Sequence, residues 1–454
     1  MKFKTPILPL VITSLLMGSG SALAAVSADE AAKLKTSLTP MGAERAGNGS
    51  DIPAWDGGIT QVPAGYQAEG PTLMDPYAND EVLYTVTASN YAEHADYLTD
   101  GQKKMFEKYP GFRMNVYPTR RSAPAPQWVA ENTYQNALNA KLNDSGLGVE
   151  NAFGGIPFPI PKRGLEVIWN HNLRWAGQGK DTRYINYSVY TNGSRSESSA
   201  HVREYYPFYN KSSGKEGFDG NFMKLFLEYT APVRRKGEVI LVIDPINQAE
   251  TPRQAWQYIP GQRRVRRAPT LSFDTPNPSS NGMSTYDDAF MFNGSPERYD
   301  WKLVGKQELL VPYNSYKLIN ALAEGASKEE LFPVNFINPD YERWEKHRVW
   351  VIEADLKEGQ RHVYAKRRFY IDEDSWSALI SDSYDGRGEL WRFNYAHPIT
   401  FYDQNALAIR SLAQHDILSG DYTILEHSLG RYKTQGPSDD DFYTPQSIRQ
   451  QARR

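Results

Sequence analysis

From Thr182 onward, apolar and polar residues alternate with a period of two, the signature of strands that bury one face. The alternation predicts strands over Arg183–Thr191, Val202–Tyr209, Lys224–Val233, Glu238–Asp244, Arg253–Ile259 and Arg263–Arg267. It resumes over Tyr299–Leu309, Arg348–Asp355, His362–Ile371, Trp376–Tyr384 and Glu389–Tyr395. Gly, Pro, Asn or Asp separates most of these runs, so successive antiparallel hairpins are the economical topology. So many sequential strands with few helices between them point to a strongly curved sheet or an open barrel. A regular repeat, which a propeller would require, is not evident. Between Ala88 and Trp175 the period lengthens to that of a helix, over Tyr91–Tyr109, Pro126–Leu142 and Pro161–Trp175, with both prolines suited to a first helical turn. Ser27 to Gly70 holds one short helical segment, Ala31–Leu38, followed by a Gly/Pro-rich stretch that cannot sustain regular structure. The expected fold class is α+β, mainly β: a large curved antiparallel sheet, an open half-barrel, covered by helices. The expected zones are a wrapping segment (25–87), a helical segment packing on the sheet (88–181), the half-barrel (182–434) and a polar, poorly ordered tail (435–454).

The first residues follow a different pattern. Lys2 and Lys4 precede a mostly apolar run, Pro6 to Met17, and Ala22-Leu23-Ala24 has the small-residue spacing of a signal-peptidase site. The run is shorter than the roughly 20 residues a membrane span needs. Residues 1–24 therefore read as a cleaved secretory signal, with the mature chain starting near Ala25 and exported. No cysteine follows the small residues, which excludes a lipid-modified N-terminus.

Without Lys2 and Lys4 the chain carries 49 basic and 54 acidic residues, a formal charge of −5, which does not suit a general binder of nucleic acid. The absence of cysteine removes disulfides, thiolate nucleophiles and thiolate metal sites together. Stability must come from packing, and 29 tyrosines, 18 phenylalanines and 10 tryptophans favour broad strands with aromatics on one face.

Catalytic motifs are missing. The 8 histidines form no close metal-type pair, no His-Glu-x-x-His occurs, and there is neither a Gly-x-Ser-x-Gly elbow nor a phosphate-binding Gly-Lys-Ser/Thr loop. Asp372, Glu373 and Asp374 lack the spacing of a calcium loop and read as solvated acids of a turn. No metal and no cofactor is expected. What stands out instead is apolar and aromatic material on strands: Leu225, Leu227 and Tyr229 alternate on one, and Trp350, Ile352, Trp376 and Trp391 continue the theme. In "AWQYIPGQRRVRRAP", Ala255 to Pro269, Trp256 and Tyr258 share one face of a strand, Pro260-Gly261 turns, and Arg264 and Arg266 share one face of the return. Those arginines suit either an anionic head group or a solvated edge that resists sheet-to-sheet aggregation.

Five blocks carry a resemblance: "LTPMGAERAGNGSDIPAWDGG" (38–58), "AWQYIPGQRRVRRAP", "RYDWKLVGKQELLVPYNSY", "RWEKHRVWVIEADLKEG" and "AKRRFYIDEDSW…DSYDGRGELWR". In this order they resemble a periplasmic family of Gram-negative bacteria, domain of unknown function 1329, often labelled outer-membrane lipoprotein-sorting protein. The later blocks look like an enlarged version of the carrier LolA and the receptor LolB, in which a curved antiparallel sheet closed by helices holds acyl chains. The correspondence runs through the Trp256/Tyr258 strand, the Arg264/Arg266 strand, Asp372 and the Tyr384-Asp385-x-x-Gly388 turn. This chain has no lipid-attachment cysteine and far exceeds LolA in length.

The resemblance implies a non-enzymatic periplasmic carrier or adaptor for a lipid or other hydrophobic molecule. It would work with an inner-membrane exporter of the resistance-nodulation-division superfamily and an outer-membrane protein. Trp256, Tyr258, Trp301, Trp350, Trp376 and Trp391 are the expected lining, with Arg264 and Arg266 at the rim. A hydrolase of lipid or polyester and a ligand-free adaptor remain the alternatives. Replacing Arg264 and Arg266 together by glutamate is expected to weaken binding of an anionic amphiphile in a titration, and unchanged affinity would remove both from the rim.

Overall fold

The computed structural model describes residues 25–67, 70, 72–269, 271–433 and 440–451, so the expected signal segment lies outside the described residues. After β1 (Tyr84–Thr87), β2 (Arg113–Val116) and the short pair β3 (Lys141–Leu142) and β4 (Val149–Glu150), two antiparallel meanders follow. The first contains β5 (Gly179–Val189), β6 (Arg195–Tyr205), β7 (Asn221–Ala231), β8 (Val239–Pro245), β9 (Gln254–Ile259) and β10 (Arg264–Arg267). The second contains β11 (Tyr299–Pro312), β12 (Trp344–Leu356), β13 (Lys366–Asp372), β14 (Ala378–Tyr384), β15 (Leu390–Phe401), β16 (Ala406–Asp416) and β17 (Tyr422–Lys433). β17 pairs antiparallel with β5, which joins both meanders into one 15-stranded sheet that does not close on itself. The fold is mainly β, as expected, and one parallel contact, Trp344 opposite Val116, makes the sheet mixed.

Every run expected from the alternation overlaps a strand, with the largest displacements at β6, which begins at Arg195 rather than Val202 and ends before a 3-10 turn at Pro207–Tyr209, and at β15, which continues to Phe401. β16 and β17 were not expected, and the reason is physical. β16 is buried on both faces from Ala406 to His415, so polar and apolar positions do not alternate along it. β17 contains register shifts that break its period.

The helices are α1 (Ala28–Ala32), α2 (Asp100–Lys108), α3 (Gln127–Asn139), α4 (Gly164–Asn172), α5 (Tyr316–Asn320), α6 (Lys328–Leu331) and α7 (Pro445–Gln451). The segment expected as one helix from Tyr91 to Tyr109 is instead a 3-10 turn, Tyr91–Tyr97, followed by α2, because Thr99 and Gln102 form a capping box that starts a new helix. Pro126 is the residue before the first turn of α3, and Pro161 lies ahead of Arg163, which precedes α4, so neither proline occupies the position expected. α3 and α4 pack on one face of the second meander, where Val129, Val167 and Trp169 meet Ile352, Phe369 and Ile371. α2 covers the other face, with Met105 and Phe106 against the cluster of Tyr370, Ile380 and Phe393.

The expectation of a poorly ordered polar tail is corrected for residues 440–451. A 3-10 turn, Asp440–Tyr443, and α7 fold back onto the first meander, and Tyr443 and Ile448 are buried against Tyr205, Phe226, Val239 and Leu241. Its few apolar residues are spaced to meet an apolar strip that the sheet would otherwise expose. Ile448→Ala is expected to cost about 2 to 5 kcal/mol, measured by chemical denaturation.

Candidate functional site

Strand alternation sends Tyr184, Val202, Leu225, Leu227, Tyr229, Ile240 and Val242 to one face of the first meander. The described residues of the connection between β10 and β11 (268–298) fold back over that face. Leu271 and Tyr286 of this lid reach the cluster, yet the space is not filled. A narrow interior of about 90 Å³ remains, widening to about 800 Å³ when its open mouth is counted. Connections this long in a compact domain, here with only three short 3-10 turns among the described residues, are usually functional, and an apolar concavity with a few polar groups is the usual form of a ligand site.

Polar pins hold the lid at both sides. Toward the first meander, Tyr229 Oη and Ser279 Oγ share a 2.6 Å hydrogen bond, and Arg253 donates to both oxygens of Asp244 (2.6 and 2.8 Å) and to Asn293 Oδ1 (2.7 Å). Toward the second, the fully buried Arg367 of β13 donates to Asp287 Oδ2 (3.1 Å) and Asp288 Oδ1 (3.0 Å), and Tyr364 Oη donates to Asp288 Oδ2 (3.0 Å).

Two carboxylates reach the cavity. Glu204 is paired with Lys180 at 3.1 Å and accepts a hydrogen bond from Tyr206 Oη. Glu426 of β17 sits where the pairing with β5 slips between Ile424 and His427, in a left-handed backbone conformation (φ 56°). Its backbone N–H donates to Asn186 Oδ1 at 2.9 Å. Because two residues of β17 oppose one of β5 here, the consecutive Leu425 and Glu426 both line the cavity, which no regular strand permits. Burial pushes the Glu426 carboxyl up to about 7, Glu204 adding to the shift and Lys180, Arg410 and Arg174 opposing it.

None of the residues expected to line a cavity is among those around this one; Trp350 meets Trp376, and Trp256 shares a face with Tyr258, but the set as a whole is spread over different parts of the sheet. Trp256 and Tyr258 share a face, as their spacing implies, but it is the opposite face, beneath Tyr443 and Ile448, with the Arg267 guanidinium 5.7 Å from the Trp256 ring. Arg264 and Arg266 are exposed on the edge strand β10; Arg266 pairs with Gln257, which shares a side of β9 with the cavity-facing Ala255, so both arginines project on the cavity side. Trp301 borders a separate cleft of about 360 Å³ near Lys162 and Arg163 and donates to Pro296 O at 2.9 Å. Trp350 stacks on Trp376 at 6.1 Å, and the buried Trp376 donates to Met41 O at 2.8 Å. Trp391 donates to Asp416 Oδ2 at 3.1 Å and meets Tyr364 edge-on. Of the cavity's own residues, Leu225, Leu227 and Tyr229 were legible as one apolar face.

The acidic turn Asp372–Asp374 is buried rather than solvated, correcting the sequence expectation. Arg121 donates to Asp374 Oδ2 (2.9 Å) and Oδ1 (2.7 Å), and Glu373 accepts from Lys306 (2.7 Å) and Arg348 (3.3 Å). Arg121 also donates to Glu44 O (2.9 Å) and Arg348 to Ala46 O (2.9 Å), so this ion network clasps the 38–58 segment onto the sheet. His347, Asp372 and Asp374 offer ligand atoms within 4.8 Å of one another. Arg121 already engages both oxygens of Asp374, His347 Nε2 is held by Glu345 at 3.1 Å, and Asp372 Oδ2 accepts from Tyr313 Oη (3.0 Å) and Ser375 Oγ (2.6 Å).

A family model described as protein of unknown function (DUF1329) matches residues 85–449. An uncharacterized protein of Pseudomonas aeruginosa is 44% identical over 445 residues, 94% of each chain. Solved structures similar to this chain include the following three. A domain from Vibrio parahaemolyticus described as an outer membrane lipoprotein-sorting protein is 15% identical, covers 63% of this chain and 98% of its own, and has a TM-score of 0.43. A DUF1329 family protein from Desulfovibrio piger is 13% identical, covering 60% and 92%, at a TM-score of 0.40. A LolA superfamily protein from Nitrosomonas europaea is 12% identical, covering 63% and 98%, at 0.37.

Removing the centre of the clasp leaves buried carboxylates without their cation. Arg121→Met is expected to lower stability by about 3 to 5 kcal/mol in a denaturant titration, well beyond the loss of a surface pair.

Proposed function

The chain belongs to the DUF1329 family of proteins of unknown function, and from that footing we propose that it is a periplasmic carrier or adaptor. It would bind a lipid or other hydrophobic molecule, unchanged, beneath the 268–298 lid. The observation that carries this reading is the unfilled apolar cavity between β5–β8, β17 and the lid. Each methylene transferred from water to such a lining contributes about 0.8 kcal/mol, so a chain of several carbons gains enough to offset the cost of association. A narrow slot with an open mouth suits one slender chain better than a bulky ring system.

The signal-like N-terminus supports the periplasmic placement, and no helix among the described residues is long and apolar enough to cross a membrane. The resemblance of the sequence blocks supports a chain of transfer in which an inner-membrane exporter of the resistance-nodulation-division superfamily and an outer-membrane protein flank this carrier. A ligand-free adaptor would need no unfilled concavity. A hydrolase would need an activated nucleophile at the cavity; Ser279, the serine among its lining residues, shares its hydroxyl hydrogen bond with Tyr229 rather than with a base.

Native mass spectrometry of protein purified without detergent tests the proposal, together with titration of the neutral fluorophore N-phenyl-1-naphthylamine. The expected outcome is a co-purifying amphiphile and saturable fluorophore binding that Val242→Trp, which fills the slot, weakens at least about tenfold. Protein that is empty under all growth conditions and gives no saturable binding would overturn it.

A further inference from the structure

Most polar groups around the cavity are answered by the chain itself, but the Glu426 carboxylate and two tyrosine hydroxyls are not. Among the described residues, nothing donates a hydrogen bond to the Glu426 carboxylate, and the hydroxyls of Tyr184 and Tyr286, which line the same cavity, have no hydrogen-bond partner; that of Tyr184 stands on the same strand pair as Glu426. Polar groups removed from water normally find partners in the fold, and an unmet carboxylate costs more than an unmet hydroxyl. The carboxylate is not left over by accident of alternation. The register slip opposite Asn186 and the left-handed backbone at Glu426 turn it toward the cavity, and Asn186 Oδ1 fixes that backbone by accepting from its N–H at 2.9 Å. A non-glycine residue in this conformation is uncommon and costs energy, and such residues concentrate at functional sites.

The charges nearby are engaged elsewhere. Lys180 is paired with Glu204 at 3.1 Å, Arg410 donates to Thr182 Oγ1 at 2.9 Å, Arg174 donates to His171 O at 2.7 Å, and Arg253 is held by Asp244. An ionised Glu426 is an acceptor without a donor, and a second carboxylate, Glu204, stands on the same wall. A head group that carries negative charge would meet repulsion there, and a bare hydrocarbon would leave the carboxylate buried and unmet.

We infer that the cavity selects amphiphiles whose head donates hydrogen bonds, an ammonium above all and a hydroxyl next, and seats that head on Glu426 and Tyr184 with the chain running along Leu225, Leu227 and Val242. This rests on the carrier reading and narrows it from any hydrophobic molecule to one head-group chemistry. It also gives the site a dependence on pH. The Glu426 carboxyl takes up a proton as pH falls through about 7, which removes the acceptor of a charge-assisted hydrogen bond from beside Lys180, Arg174 and Arg410. The preference for an ammonium therefore belongs to the alkaline side of that value and fades on the acid side.

Calorimetric titration of the full chain with decylamine, 1-decanol and decanoic acid at pH 8 tests the inference. Decylamine is expected to bind about tenfold or more tightly than decanoic acid, with 1-decanol between them. Glu426→Gln, nearly isosteric, is expected to erase the advantage of the amine while retaining a cooperative thermal transition. Tyr184→Phe is expected to weaken 1-decanol severalfold, and at pH 5.5 the wild-type advantage for decylamine is expected to shrink toward that of Glu426→Gln. Equal affinity for the three probes, or an amine preference that survives Glu426→Gln, overturns the head-group inference while leaving the carrier reading intact. If none of the probes binds, both fall.

Discussion

The antiparallel seam between β17 and β5 is the constraint on which the rest of the molecule depends. Each meander is a local object, built from hairpins whose strands are neighbours in sequence. Among the described residues, only the pairing of Tyr422 with Val189 and of Lys433 with Asp181, and the rungs between them, makes the two into one sheet. Without the seam both strands would present unpaired backbone groups at an edge. With it, the wall of the cavity gains Leu425 and Glu426 from the far end of the chain, and the lid has a continuous surface to span.

Polar pins then fix what the seam brings together. Arg367 ties the lid to the second meander, Arg253 and Ser279 tie it to the first, and Arg121 clasps the 38–58 segment over the acidic turn. In a chain without cysteine these buried ion pairs fill the place of crosslinks in one respect: they specify where irregular segments lie. They do so at a desolvation cost, which explains why each guanidinium is met by several acceptors rather than by one.

Much of this was legible in the sequence, where the physics is local. Alternation revealed the strands that have one polar and one apolar face, and it correctly set Leu225, Leu227 and Tyr229 apart from Phe226 on β7. It failed on β16, which is covered on both faces, and on β17, where a slipped register scrambles the period. The most informative residue of the cavity, Glu426, was invisible for that reason. Trp256 and Tyr258 show a different limit. Their common face followed from spacing, but which side of the sheet it would be depended on a short C-terminal helix whose sequence carries only a few apolar residues.

The seam also sets an order of events as the chain is made. Its two strands open the first meander and end the second, Asp181 against Lys433, so no fragment released early contains both. The hairpins of each meander can form on contact, whereas the seam must wait for the last strand and close a loop that encloses nearly everything between. Until then β5 is an open edge in a large and partly structured chain, the kind of species that aggregates or needs a chaperone. The same late closure keeps a growing chain from locking into its final shape before its end has appeared.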